Sequence, residues 1–377
     1  MLTNPSKTKE QTRQKLEEAE IQKVNKDPDK VGINIDQDYI VDGSYTKGIK
    51  FIKTEWPIRY GTDAKNKIEI AEKEGTIQTE LDKRVNEQHT KLDKLKNYLS
   101  RFPRLEHVRI NPYGVESPIN PNQAIEIQPD ETRRVTINSD FQEQLRLIVD
   151  KCPDTILVVP FYNSRKGPEY CSDIPSNDQE IADYITICDT LLIQFGNKLQ
   201  LEIGNETNVD RKTGEMFTNK QFASHTNPHE YAQFYIKVAN ELKKKHPNAR
   251  LAMAGIACYD AFYLKTVLED VKEYENYNNL DKLINTVSIH PYRQNPEKGA
   301  IEVKEGKFPE NPTETTYNQQ MEEFLGISRN YNPDVNTTIG EIGFPLTDVQ
   351  NQQKLERSIE LSKQKGLTSF IYPAVNV

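Results

Sequence analysis

Apolar positions along this chain follow two alternating rhythms. Short runs read VGINI (31–35), HVRIN (107–111), TILVVPF (155–161), LQLEIG (199–204), LAMAGIA (251–257), TVSIHPY (286–292), TTIGEIG (337–343) and SFIYPAV (369–375), which gives eight strand candidates. Longer stretches between them carry apolar residues at helical spacing. Residues 81–99 place Leu81, Val85, Leu92, Leu95 and Leu99 on one face. Residues 229–246 place Tyr231, Phe234, Tyr235, Val238 and Leu242 at helical spacing, with Lys243, Lys244 and Lys245 in the last turn, where positive charge suits the helix dipole, and Pro247 behind them as a stop. Further helices fit 178–195, 261–284, 316–329 and 349–365. Strand alternating with helix in this way predicts an α/β fold, a closed parallel (β/α)8 TIM barrel.

Two irregularities modify that picture. Roughly seventy residues separate the first two strands, more than one helix needs. They hold the only tryptophan, Trp56, within TEWPIRYG, and read as a long loop over the active face. The chain also ends just after the eighth strand, leaving no closing helix. The first thirty residues are mostly charged, and Lys9–Val24 can form a helix with Leu16, Ile21 and Val24 as its few apolar positions. It is either a solvated arm or a helix docked where the eighth is missing. The domain reading is a helical extension over 1–30 and one barrel over 31–377.

Composition narrows the function classes. A net charge of −8 argues against a nucleic-acid partner, because phosphate binding needs a basic field. No run of eighteen apolar residues occurs, so no membrane span is expected. The N-terminus shows no apolar signal core, so the expectation is a cytoplasmic protein, with a leader already removed left open. The four cysteines, Cys152, Cys171, Cys188 and Cys258, form no CxxC pair and no cluster with histidine, so no metal site or cofactor is expected. Cys152 and Cys171 could pair; the sequence does not decide it.

In a (β/α)8 barrel the chemistry sits at the C-terminal ends of the strands. Those ends carry Arg109 and Asn111 on the second strand, Tyr162 and Asn163 on the third, Asn205 and Glu206 on the fourth, His290 and Tyr292 on the sixth, Glu341 on the seventh and Tyr372 on the eighth. Two carboxylates on strands four and seven face each other across a ring of eight. That arrangement suits glycoside hydrolysis, in which one carboxyl protonates the leaving oxygen and the other attacks the anomeric carbon.

The set GNE after strand four, HxY after strand six, GExG after strand seven and the arginine of VRI on strand two resembles the clan A glycoside hydrolases, retaining (β/α)8 enzymes. The resemblance covers roughly residues 31–377. It implies Glu206 as acid/base, Glu341 as nucleophile and Asn205 as holder of the sugar 2-hydroxyl. It implies Arg109, His290 and Tyr292 around the nucleophile, with Asn163 and Tyr372 lining the substrate. A carbohydrate substrate follows, an oligosaccharide or a glycoside. The chain departs from the clan in having Thr207 where proline often follows the acid, and Tyr372 where many members carry tryptophan.

Two rivals stand beside this reading. One is a barrel without catalysis that binds carbohydrate or serves in assembly. Retention of both glutamates speaks against it, since a decayed site has no chemical reason to keep the pair. The other is a metal-dependent barrel hydrolase, for which the strand ends lack an HxH pair or an acidic triad.

Overall fold

The computed structural model describes, with isolated gaps, residues 31–35, 93–110, 125–127, 133–135, 139–159, 174–208, 226–291, 316–342 and 349–371, together with Gln22 and Asn25. Eight parallel strands form a ring: β1 (Val31–Ile35), β2 (His107–Ile110), β3 (Asp154–Val159), β4 (Leu199–Ile203), β5 (Arg250–Met253), β6 (Thr286–His290), β7 (Asn336–Ile342) and β8 (Thr368–Ile371). Each strand pairs with its neighbours in sequence order, and β8 pairs with β1. The chain therefore folds as a (β/α)8 barrel. The weakest seam lies between β5 and β6, where one register pair, Ala252 with Thr286, joins the strands.

β3, β4 and β6 are buried on both faces, as parallel barrel strands are. On β4, Leu199, Leu201 and Ile203 join the core under the helices. The alternate residues Gln200 and Glu202 point the other way, into the barrel, where Gln200 donates to the Thr286 hydroxyl of β6. This parity lets an apolar strand deliver polar side chains to the barrel axis.

Among the described residues six helices form the outer layer: α1 (Ser139–Lys151), α2 (Asp178–Phe195), α3 (Pro228–Lys245), α4 (Ala261–Asn278), α5 (Tyr317–Tyr331) and α6 (Val349–Gln364). A further helical stretch within 93–100 buries Leu95 and Leu99 ahead of β2. Side chains cap the helix starts. Asn177 accepts from the Glu180 amide, Asp260 from the Tyr263 amide, and Thr316 forms a capping box with Gln319.

Three elements differ from the periodicity reading. Helix α1, preceded by an antiparallel pair of Ile125–Ile127 with Arg133–Val135, lies between β2 and β3, where no helix had been assigned. Its Leu145, Ile148 and Val149 are buried at i, i+3 and i+4. The run LAMAGIA is broken: β5 ends at Met253, and Ile256–Ala257 pairs separately with β6. The helix expected over 261–284 stops at Asn278, because Asn279 turns left-handed (φ 50°, ψ 49°) and closes the end. The buried Glu275 carboxylate then accepts the Leu283 amide and fixes the descent toward β6.

Most of the segment expected to replace an eighth helix lies outside the described residues. Gln22 and Asn25 are helical and exposed, and the Asn25 amide donates to the Arg101 carbonyl at 3.1 Å. Among the described residues no helix is long and apolar enough to cross a membrane. Cys152 and Cys188 carry free, fully buried thiols, and burial pushes the Cys152 thiol up to about 12. Cys171 lies outside the described residues.

Candidate active site

The C-terminal end of β4 builds the site. After Ile203 the chain reverses over five fully buried residues, Gly204 to Asn208. Gly204 has φ 87° and Glu206 has φ 46°, a left-handed conformation rare outside glycine and costing about 1–3 kcal/mol. Its surroundings hold it there. The Tyr184 phenol accepts the Gly204 N–H and donates to the Val159 carbonyl. The Tyr231 phenol donates to the Ile203 carbonyl and accepts the Ala254 N–H. Burial pushes both phenols well above their ordinary range, so they stay protonated and able to donate. Beyond Glu206, the Thr207 hydroxyl meets the Tyr263 phenol at 3.0 Å, and the Asn208 side chain exchanges two hydrogen bonds with the Ala257 backbone. The left-handed turn is thus over-determined, and it aims the Glu206 carboxylate at the barrel axis.

There Glu206 Oε1 lies 2.8 Å from His290 Nδ1, at the end of β6. The same nitrogen is 3.8 Å from Glu341 Oε2 on β7. The imidazole sits in a slot that two glycines open. A Cβ on Gly255 would lie 2.1 Å from His290 Nε2, and one on Gly340 would lie 2.2 Å from Ser288 Oγ and 2.8 Å from His290 Nε2. Gly340 of the GExG motif therefore makes room for the histidine.

Arg109 supplies the positive charge. Its Nε and NH2 donate to the two oxygens of Glu202 at 2.8 and 2.7 Å. Its NH1 donates to Glu341 Oε1 at 2.8 Å, and NH2 also reaches Asn205 Oδ1 at 3.2 Å. All of these side chains are buried, with Arg109 and His290 fully enclosed. Three carboxyls thus face one guanidinium and one imidazole in a low-dielectric interior.

Of the residues expected at the site, Arg109, Asn205, Glu206, His290 and Glu341 come together. Asn163, Tyr292 and Tyr372, like Trp56, Asn111 and Tyr162, lie outside the described residues. The Asn205 Nδ2 group is buried and has no protein partner, leaving a donor for a bound molecule. Glu202 and Gly255 were not singled out from sequence. The available signal for Glu202 was a charge at an inward position of a strand buried on both faces.

One oxygen or nitrogen from each of Glu206, His290 and Glu341 lies within 4.8 Å of the others, a spacing that could accept a divalent ion by donor type. An ion there would have to displace the direct Glu206–His290 hydrogen bond and sit beside the guanidinium already held on Glu341. The residues present fit proton transfer and charge stabilisation better than metal ligation. Next to the site, burial pushes Asp260, the cap of α4, from an ordinary 3.8 up to about 6, against the opposing pull of the Tyr263 amide and the Asn208 side chain.

No protein-family model matches the chain, and no curated protein matches it in sequence. Among solved structures it is similar to a family 44 endoglucanase from Clostridium thermocellum (12% identity, TM-score 0.41, covering 62% of this chain and 60% of that one). It is similar also to a family 39 glycoside hydrolase from Bacteroides cellulosilyticus (15%, 0.47, 72% and 51%) and to a GH5-4 endoglucanase from Clostridium longisporum (13%, 0.45, 90% and 84%). The chain spans between half and three-fifths of the length of the first two.

Proposed function

We propose that this chain is a retaining O-glycoside hydrolase or transglycosylase acting on a carbohydrate. The observation that carries the reading is the unequal pair of facing carboxylates. Glu341 Oε1 accepts from the Arg109 guanidinium, a permanent cation with no proton to exchange. Glu206 is held by an imidazole nitrogen that can pass or share a proton. Oxygens of the two lie within 4.8 Å. That is close to the ~5–5.5 Å of retaining enzymes and short of the ~6.5–9.5 Å that an inverting enzyme needs for its water.

In the first step a Glu341 oxygen attacks the anomeric carbon, the glycosidic C–O bond breaks, and Glu206 gives its proton to the leaving oxygen. In the second, Glu206 takes a proton from water as the water oxygen displaces Glu341 from the anomeric carbon. With a sugar hydroxyl in place of water, the same step is transglycosylation. Asn205 offers its unpartnered amide to a substrate hydroxyl, and the arginine stabilises the carboxylate as it leaves.

A panel of aryl glycosides differing in sugar tests the reading. The anomer first released, followed by proton NMR, should match the substrate's configuration. Release of the opposite anomer would mean inversion. A protein that binds sugars, cleaves none and tolerates loss of both glutamates would be a binding barrel.

A further inference from the structure

One buried carboxyl at the barrel axis has no part in the two-step reaction above. Glu202, on the inward face of β4, is 1% exposed and uses both oxygens on three donors. Oε2 accepts Arg109 Nε; Oε1 accepts Arg109 NH2 at 2.7 Å and the Gly255 N–H at 3.1 Å. The Gly255 carbonyl in turn accepts the Glu206 N–H at 3.0 Å, and the lack of a Cβ on Gly255 admits the His290 ring. A continuous path therefore runs from Glu341 through Arg109, Glu202 and Gly255 to Glu206.

We propose that Glu202 is a positioning residue that sets the separation and orientation of Glu206 and Glu341, resting on the roles assigned to that pair above. A charge partner for Arg109 would need only the guanidinium. Glu202 grips the Nε edge side-on, with Nη1 donating to Glu341, which fixes the arginine in rotation. The same carboxylate pins the backbone that carries the hydrogen-bond acceptor for the left-handed Glu206. Removing either contact lets one catalytic carboxylate move without the other. Misplacement on the order of 1 Å can cost about 10²-fold in rate.

Two variants separate this from charge compensation. Glu202→Gln keeps the size but presents an NH2 donor to one of three donors. Glu202→Asp keeps the charge but falls one methylene short. Positioning predicts that both lose about 10²-fold in kcat on a cleaved aryl glycoside, with KM within about threefold. Full recovery in Glu202→Asp would reduce Glu202 to a counter-charge and overturn the proposal, as would unchanged kcat in Glu202→Gln.

A readout independent of turnover is nitrogen-15 NMR of the Arg109 Nε–H and the His290 ring, assigned with Arg109→Lys and His290→Gln. In Glu202→Gln both resonances should move together while the ring of His107, at the opposite end of the barrel, stays put. A shift confined to Arg109 would break the path at Gly255 and overturn the coupling. If neither variant folds, the unmodified protein still decides: its Arg109 Nε–H must be protected from exchange, and rapid exchange refutes the grip. A parent protein that cleaves no glycoside would remove the reaction while the resonances still report the coupling. Glycoside cleavage with unaltered Glu202→Gln kinetics would remove the positioning role and leave the reaction.

Discussion

His290 Nδ1 lies 2.8 Å from Glu206 Oε1 and 3.8 Å from Glu341 Oε2, so one imidazole stands between two buried carboxylates, nearer the first. The ring holds that place because Gly255 and Gly340 present no side chains to it. Gly340→Ala should therefore push the imidazole off Glu206. The expected result is a folded barrel, destabilised by about 1–3 kcal/mol through overpacking, with kcat reduced by 10-fold or more. Urea unfolding and turnover on one preparation check it. Full activity in Gly340→Ala would mean that the slot tolerates a methyl group and does not position the ring.

Arg109 is the sole guanidinium among three buried carboxyls in the described part of the barrel mouth. Arg109→Met should leave Glu202 and Glu341 facing each other without compensation. Breaking a buried pair in this way costs about 3–5 kcal/mol. Arg109→Lys keeps the charge but cannot hold Glu202 side-on and Glu341 end-on at once, so it should fall between parent and Met in stability. Denaturant midpoints give the order. A Met variant as stable as the parent would show that the carboxyls redistribute protons without strain.

Asp260 gives a pH dependence with a definite sign. Its carboxyl is raised to about 6 by burial, so the folded chain binds that proton more tightly than the unfolded one. Its contribution to stability is full below the unfolded value of 3.8 and is lost as pH rises through about 6. Above that, ionising the buried group costs about 2–3 kcal/mol. Asn can still accept the Tyr263 amide as a helix cap but never ionises. Asp260→Asn should be more stable than the parent at neutral pH and nearly equal to it at pH near 4. Equal differences at both pH values would show that Asp260 does not titrate in this window.

Much of this arrangement was legible in the chain, and the reasons are local. The short apolar runs LQLEIG, TVSIHPY and TTIGEIG located the ends of β4, β6 and β7 to within one or two residues, and with them the stretches that carry Glu206, His290 and Glu341. What the pattern concealed were features that depend on a third element. Glu202 read as one polar residue in an apolar strand until Arg109 from β2 lay beside it. The break in LAMAGIA follows from the space that His290 requires at Gly255, a demand made 35 residues later in the chain. Helix α1 is hard to separate by periodicity because SDFQEQLRLIVDK runs almost into the β3 residues, and its apolar positions merge with the strand pattern.

The division of labour between the glutamates is open to a direct chemical test. Glu341→Gln removes the group that bonds the anomeric carbon, so no glycosyl-enzyme can form and every substrate should be lost. Glu206→Gln removes the acid, which matters little for a leaving group as good as a nitrophenolate. The first step should survive there, and the intermediate should accumulate because water has lost its base. Mass spectrometry of the intact Glu206→Gln protein should show it carrying one sugar. General acid–base contributions are about 10²–10⁴-fold, so the slowed second step stands well clear of error. Azide is a nucleophile that needs no base. It should restore turnover to Glu206→Gln, giving a glycosyl azide of the substrate's anomeric configuration, because two displacements have occurred. It should do nothing for Glu341→Gln. Rescue of Glu206→Gln with the opposite anomer would reverse the two roles, since azide would then be filling the place of a missing nucleophile in that variant.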